Sequence, residues 1–337
     1  MASVGMAQVG CGTWGQVMLT RFRAHSQARI EAVCDLNGDV AKQIAEQFGA
    51  KAYYDNLEEL LRHPGIDAVG VATPDFAHRE AVVGALDAGK HVLVQKPMAT
   101  TVEDCKAMVE AEQRSGRYLM VDFQHRWGIG FAEARAAVQS ESFGRVVHGH
   151  IRMSNSQRVP TQMLSWAGQS SVLWFLGTHT LDLLRFILDS EVTRVFAVSR
   201  RGVLESRGIP TPDFFQSTLE FDNGACIQME NSWVLPEGEI AVIELNMELY
   251  GANECVRVNQ APNNVIQKTT PTGLEVPLGA RSAVMARGTS IDYFIDCVVS
   301  GTRPSITGHD GLMNTATLVA IERSVSEGRP VALAEVL

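Results

Sequence analysis

The sequence predicts an α/β protein of two domains, the first a doubly wound parallel sheet and the second built on longer antiparallel strands. Three observations predict it. The 337 residues are roughly twice the usual size of a single domain. Over residues 1–125, short continuous apolar runs alternate with amphipathic helical stretches, the pattern of strands covered by helices on both faces. Beyond residue 126 the apolar spacing changes to longer stretches with a period of two.

In chain order, Val4–Val9, Ile30–Cys34, Ala68–Ala72, His91–Val94 and Tyr118–Phe123 read as strands. Between them lie helical patterns at Gln16–Ala24, Asp39–Phe48, Leu57–Leu61, Ala77–Ala88 and Val102–Arg114, several closed by a glycine (Gly49, Gly65, Gly89, Gly116). In the second part, Ile240–Leu249 sets Ala241, Ile243, Leu245, Met247 and Leu249 on one face and Glu244, Asn246 and Glu248 on the other, a half-covered antiparallel strand. Phe215–Phe221 and Ala225–Trp233 flank Asp222-Asn223-Gly224, residue types suited to a tight hairpin turn. Two helices close the chain, Ile291–Ser300 and Gly311–Ser326, each followed by Gly and then Pro (Gly301 and Pro304, Gly328 and Pro330). Domains are therefore expected at 1–125 and 126–337.

Composition narrows the function classes. With 29 Lys and Arg against 38 Asp and Glu, the net charge is −9, and no basic block interrupts it, so nucleic-acid binding is not expected. No run of about 18 apolar residues occurs and the amino terminus lacks a basic n-region, so neither a membrane span nor a signal peptide is expected and the cytoplasm is the default. Six scattered cysteines without a C-x-x-C pair suit reduced thiols. His148 and His150 alternate on one strand face without a third ligand and read as surface or core residues; no metal is expected.

The strongest chemical motif is Gly10-Cys11-Gly12-Thr13-Trp14-Gly15, a G-x-G-x-x-G set between the first strand and the first helix. Gly10 permits the tight turn, Gly12 lets a pyrophosphate approach the backbone, and Gly15 lets helix and strand pack closely; the exposed N–H groups at the helix start then face the anion. Asp35 ends the second strand 20 residues past Gly15, where a carboxylate reaches the adenosine ribose hydroxyls. That carboxylate would repel a 2′-phosphate, and Leu36 and Asn37 bring no cation, so NAD is expected rather than NADP.

Further stretches make the chain resemble the Gfo/Idh/MocA family of oxidoreductases: Ala72-Thr73-Pro74 with His78, Gly89-Lys90-His91-Val92-Leu93-Val94-Gln95-Lys96-Pro97, and Gly177-Thr178-His179-Thr180-Leu181-Asp182. The resemblance implies an amino-terminal Rossmann domain and a carboxy-terminal α+β domain with a large, mostly antiparallel open sheet. It implies a catalytic Lys96, at the strand edge where open α/β sheets bind ligands, and a His179 that takes the hydroxyl proton. Gly10, Gly12, Thr13, Trp14, Gly15, Asp35, Thr73, Pro74, His78, Gln95, Lys96 and Gln124 would bind the cofactor. Lys96, Arg126, Trp166, Phe175 and His179 would face the substrate, and the polar face of the second sheet would pack on further copies in a homodimer or homotetramer.

Departures from the family pattern are as informative. Phe175 stands where an Asp often orients the His, Gln95 replaces Glu before Lys-Pro, and Ala167 follows Trp166 where an Arg is common. Asp182, three residues past His179 on the same helical face, is either its partner or a structural carboxylate bonded elsewhere. The expected activity is NAD-dependent interconversion of a secondary alcohol and a ketone on a sugar, cyclitol or related polyol. A redox-neutral glycoside cleavage that recycles NAD, and a cofactor-binding sensor without chemistry, are the alternatives.

Overall fold

The computed structural model describes residues 3–128, 130–164, 166–237, 242–259, 266–270, 273–275 and 289–337. These divide into two compact units, one running to Gln124 and resuming from Thr289 to Thr315, the other holding His125 to Glu275 and Ala316–Leu337.

The first unit contains β1 (Val4–Val9), α1 (Thr13–Ala24), β2 (Ala28–Cys34), α2 (Gly38–Phe48), β3 (Ala52–Tyr54), α3 (Leu57–Leu61), β4 (Ala68–Val71), α4 (His78–Asp87), β5 (His91–Val94), α5 (Val102–Ser115) and β6 (Leu119–Val121). Its six strands lie in the order β3-β2-β1-β4-β5-β6, all parallel. The order reverses between β1 and β4, the switch point at which doubly wound sheets open a crevice past the strand ends. Continuous apolar sequence is explained by burial on both faces: every residue of β1 and β4 is buried. Side-chain caps start α2, α3 and α5. Asn37 accepts the Asp39 and Val40 N–H groups, Asn56 that of Glu59 and Thr101 that of Asp104.

The second unit begins with α6 (Phe131–Val138), β7 (Val146–Ser156), α7 (Thr178–Leu188), β8 (Val192–Arg200), β9 (Phe214–Phe221), β10 (Cys226–Leu235), β11 (Ile243–Gly251), β12 (Cys255–Asn259), β13 (Ile266–Thr270) and β14 (Gly273–Glu275). Then follow α8 (Thr289–Ser300), which belongs to the first unit, and α9 (Gly308–Glu327), within which the division falls; β15 (Val331–Ala332) ends the second unit's sheet. That nine-stranded sheet runs β14-β13-β12-β11-β7-β10-β9-β8-β15, antiparallel except where β10 pairs with β7. Its β9–β10 turn is the expected Asp222-Asn223-Gly224, with Gly224 at φ 84°.

The predicted strand at Ile240–Leu249 is β11; Ile240 and Ala241 lie outside the described residues. Leu245, Met247 and Leu249 are buried on one face, while Glu244, Asn246 and Glu248 are half-exposed on the other. Leu245 and Met247 pair with Met153 and Ile151 of β7, and these residues are buried together with Ile227 and Met229 of β10. The opposite face, including His150, Arg152, Glu230, Glu248 and Arg257, borders a concavity of about 670 Å³. His148 is exposed at this sheet, stacked on Tyr250 with ring centroids 4.8 Å apart.

Candidate active site

The glycine loop is built as its spacing requires. Gly10 turns at φ 85°, a conformation that L side chains rarely adopt. A Cβ on Gly15 would lie 2.0 Å from the Gly10 carbonyl oxygen, so only glycine lets α1 pack this close to β1. A Cβ on Gly12 would meet no atom within 4 Å. The space in front of Gly12 is open, α1 has no acidic residue in its first turn, and no side chain caps its start. Its N–H groups and dipole are therefore available to an anion, and the residues present fit a dinucleotide. Thr13 is exposed and Trp14 half-buried at this helix start.

Asp35 follows β2 and accepts the Cys11 N–H at 2.9 Å and the Asn37 N–H at 3.0 Å. These bonds tie the acid to the glycine loop. Beside it Leu36 is 97% exposed, with no cation next to it in sequence.

At the ends of β4 and β5, Thr73 is half-buried and Pro74 exposed. His78 is buried and bridges two loops: Nε2 lies 3.0 Å from the Thr73 carbonyl oxygen, and Nδ1 lies 3.1 Å from those of Pro97 and Met98. Burial holds its pKa below the ordinary imidazole value. His78 thus braces the backbone of the two loops that carry Thr73 and Lys96.

Lys96 stands two residues past β5, joined to Pro97 by a cis peptide bond. It is half-buried, and burial lowers its ammonium pKa to about 8 against the opposing pull of Asp75 and Asp122. Asp122, just past β6, carried no sequence motif. Its buried carboxylate accepts the Gln95 amide at 2.6 Å and the Ser290 hydroxyl. Burial raises the Asp122 pKa, while those bonds and the Lys96 charge oppose the rise. Gln95 at the usual Glu position is thereby explained: an amide can donate to Asp122, whereas a carboxylate there would repel it. Gln124 closes the first unit, 9% exposed.

In the second unit His179 occupies the first turn of α7, directly after a π-helical turn at Leu173–Gly177. Such turns often mark functional segments. Thr180 and Asn231 hold α7 to β10: the Thr180 hydroxyl lies 3.3 Å from Asn231 Oδ1, and Asn231 Nδ2 donates to the Met153 carbonyl at 3.3 Å. The Phe175 ring lies 5.9 Å from Trp166, itself 41% exposed, and 5.7 Å from the fully buried Trp233. An aromatic cluster therefore surrounds position 175.

Arg126 Nε donates to both Asp182 oxygens at 3.1 and 3.0 Å and Nη2 to one of them at 2.5 Å, and Phe186 covers the guanidinium at 5.3 Å. Both side chains of the pair are nearly buried. Asp182, read either as the partner of His179 or as a carboxylate bonded elsewhere, accepts from Arg126. Arg126, expected to face the substrate, meets Asp182 through Nε and Nη2. The structure instead brings His125, which the sequence did not single out, against His179, with ring centroids 4.4 Å apart and planes at 81°.

A doubly wound parallel sheet with an open glycine loop at its first strand-to-helix turn fits a dinucleotide-binding protein. Residues 4–123 match the model of an oxidoreductase family with an NAD-binding Rossmann fold, and residues 131–257 match the carboxy-terminal domain of the same Gfo/Idh/MocA group. The chain belongs to the Gfo/Idh/MocA oxidoreductase family. It is 24% identical to scyllo-inositol 2-dehydrogenase (NAD(+)) of Bacillus subtilis, over 97% of this chain and 96% of that one. It is 29% identical to 1-carboxy-3-chloro-3,4-dihydroxycyclohexa-1,5-diene dehydrogenase of Comamonas testosteroni, over 66% of this chain and 56% of the relative. In fold it is similar to an oxidoreductase from Agrobacterium radiobacter in complex with NAD+, L-tartaric acid and magnesium, with TM-score 0.87, 24% identity and full coverage of both chains. Its cofactor is NAD. Among the described residues no helix is long and apolar enough to cross a membrane.

Proposed function

We propose that this protein interconverts a secondary alcohol and a ketone on a sugar, cyclitol or related polyol, using NAD. The observation that carries the proposal is Lys96, a lysine with a lowered pKa past the end of β5, in a unit whose glycine loop fits the dinucleotide. NAD supplies the hydride acceptor. In oxidation the substrate loses a hydride from carbon and a proton from oxygen as its C–O bond becomes C=O. His179 takes that proton, and the Lys96 ammonium steadies the negative charge on the oxygen. Asp35 and the α1 amides bind the cofactor, and Gln95 and Asp122 position Lys96. The names of the inositol and cyclohexadiene dehydrogenases support a ring diol or polyol as substrate. Lys96→Ala tests the assignment: turnover should fall by roughly a hundredfold or more while NAD affinity stays, and unchanged turnover would sink it.

The Trp166–Phe175–Trp233 wall favours one narrower reading, a ring with an apolar face or fewer hydroxyls than inositol. A screen in which fully hydroxylated rings are turned over better than deoxy or unsaturated ones would contradict it. Residues 1–125, joined by the α8 segment, are proposed as the cofactor domain, and the remainder as the substrate and self-association domain. The polar sheet face at His150, Arg152 and Glu248 is the proposed homodimer or homotetramer surface. All six cysteines are free thiols, which supports a cytoplasmic setting.

A further inference from the structure

We infer that Gln8 is a positioning residue of the cofactor site, fixing the peptide between Gly10 and Cys11 and, through it, the carboxylate of Asp35. The inference rests on the dinucleotide reading of the glycine loop and is independent of the substrate. Gln8 lies inside β1, a strand whose every residue is buried, and is itself 0% exposed. Its neighbours along the strand, Ala7 and Val9, are apolar. A polar side chain in such a place costs free energy unless its atoms find partners.

The Gln8 amide nitrogen donates to two carbonyls in succession, Val9 at 3.0 Å and Gly10 at 3.1 Å, at the point where the strand becomes the glycine loop. Two carbonyl oxygens as neighbours fix which end of the amide is the nitrogen, since an amide oxygen there would be repelled. The amide oxygen is buried and, among the described residues, has no donor. Neighbouring backbone makes room for the side chain. A Cβ on Gly70, the register partner of Gln8 on β4, would stand 2.5 Å from that oxygen, and one on Gly15 would stand 3.3 Å from the nitrogen. A glutamine retained with an unpaired acceptor, between two glycines, is explained by the bonds it donates.

Those bonds reach the cofactor site through one peptide. In a planar trans peptide the carbonyl and the N–H point in opposite directions. Gln8 holds the Gly10 carbonyl, and the Cys11 N–H on the other side of the same peptide donates to Asp35 Oδ2 at 2.9 Å. Rotation of this peptide is therefore stopped at both ends, by an amide and by a carboxylate. Gly10 needs that restraint, because at φ 85° it is a residue with wide backbone freedom. The loop and Asp35 are thus set in place before a cofactor arrives, and preorganisation of this kind adds to affinity.

Gln8→Met keeps the length and approximate volume of the side chain and removes both donors together with the unpaired oxygen. Calorimetric titration should show NAD+ bound roughly tenfold more weakly. The unfolding temperature without ligand should stay at or above that of wild type, because a buried unpaired oxygen has left the core. A glutamine that served the core alone would give the reverse pattern. On an Asp35→Ala background the same change should weaken NAD+ by less, about threefold or under, since the acid it positions is gone. Gln8→Leu repeats the test with a shorter side chain that cannot overfill the site. NAD+ affinity equal to wild type in both variants, an equal loss with and without Asp35, or failure of both variants to fold would overturn the inference. A wild-type protein that binds no NAD+ would remove the dinucleotide reading, and this inference with it.

Discussion

Replacing Gly12 and Gly15 separately by alanine should give opposite results, because the two glycines are needed for different reasons. Gly12 lies at φ −67° and ψ −168°, a backbone that alanine adopts, and its Cβ would touch nothing within 4 Å. Gly12→Ala should thus fold with a stability within about 0.5 kcal/mol of wild type. The added methyl group would stand where the pyrophosphate approaches the first turn of α1. Loss of one charge-assisted hydrogen bond, about 1.5–3 kcal/mol, weakens NAD about ten- to a hundredfold. In Gly15→Ala the Cβ would be 2.0 Å from the Gly10 oxygen, against a floor of 3.0 Å for real contacts, so α1 must move by about 1 Å from its strand. Overpacking of this kind costs roughly 1–3 kcal/mol, several degrees of unfolding temperature in a domain of this size. Circular dichroism melts without ligand, followed by calorimetric titration with NAD+, separate the two effects. A Gly12→Ala protein that melts as early as Gly15→Ala, or that binds NAD as tightly as wild type, would refute this division of roles.

The remaining predictions concern charge. Lys96 loses its proton at about 8, so ketone reduction, which needs the ammonium, should slow as the pH rises through about 8; a flat profile there would contradict that role. Since the unfolded lysine keeps its proton up to its ordinary value of 10.5, wild-type stability should rise between about 8 and 10.5, and denaturant titrations of Lys96→Met should lack that rise. Asp182→Asn leaves Arg126 buried with a weakened partner and should cost up to about 3–5 kcal/mol, whereas Arg126→Met with Asp182→Leu should unfold closer to wild type. Asp35→Ser removes the negative charge at the ribose and should shift the ratio of NADP to NAD affinity by at least about tenfold, measured by competitive titration.

Where chemistry is local, the sequence carried it. The ends of β1 and β5 match the apolar runs to the residue, because strands inside a covered sheet are continuous and their neighbours are turns. Strand β3 was missed: it is a three-residue edge strand, neither of whose tyrosines is fully buried, and it leaves no apolar run. The π-helical turns at 159–163 and 173–177 have no periodicity of their own to read. Residues 289–315 fold with the first unit although the chain has already built most of the second, a return that composition does not reveal.

Site residues divide in the same way. The glycine loop and Asp35 were legible because a fixed spacing encodes a local geometry. Asp182 stayed open between two readings because helical spacing offered His179 three residues away, while Arg126, from which it accepts, lies 56 residues upstream. Asp122 belongs to no motif, and only the folded first unit shows that it accepts from Gln95, as only the second shows His125 against His179.

Polyol oxidation is tested most directly by following reduced nicotinamide while the purified protein is given NAD+ and a panel of cyclitols, sugars, sugar acids and cyclic diols. At least one member should yield reduced nicotinamide in proportion to ketone formed, and Lys96→Ala should abolish that signal while still binding NAD. Tight NAD binding with no reduced nicotinamide from any member of the panel would contradict it, as would full turnover by Lys96→Ala.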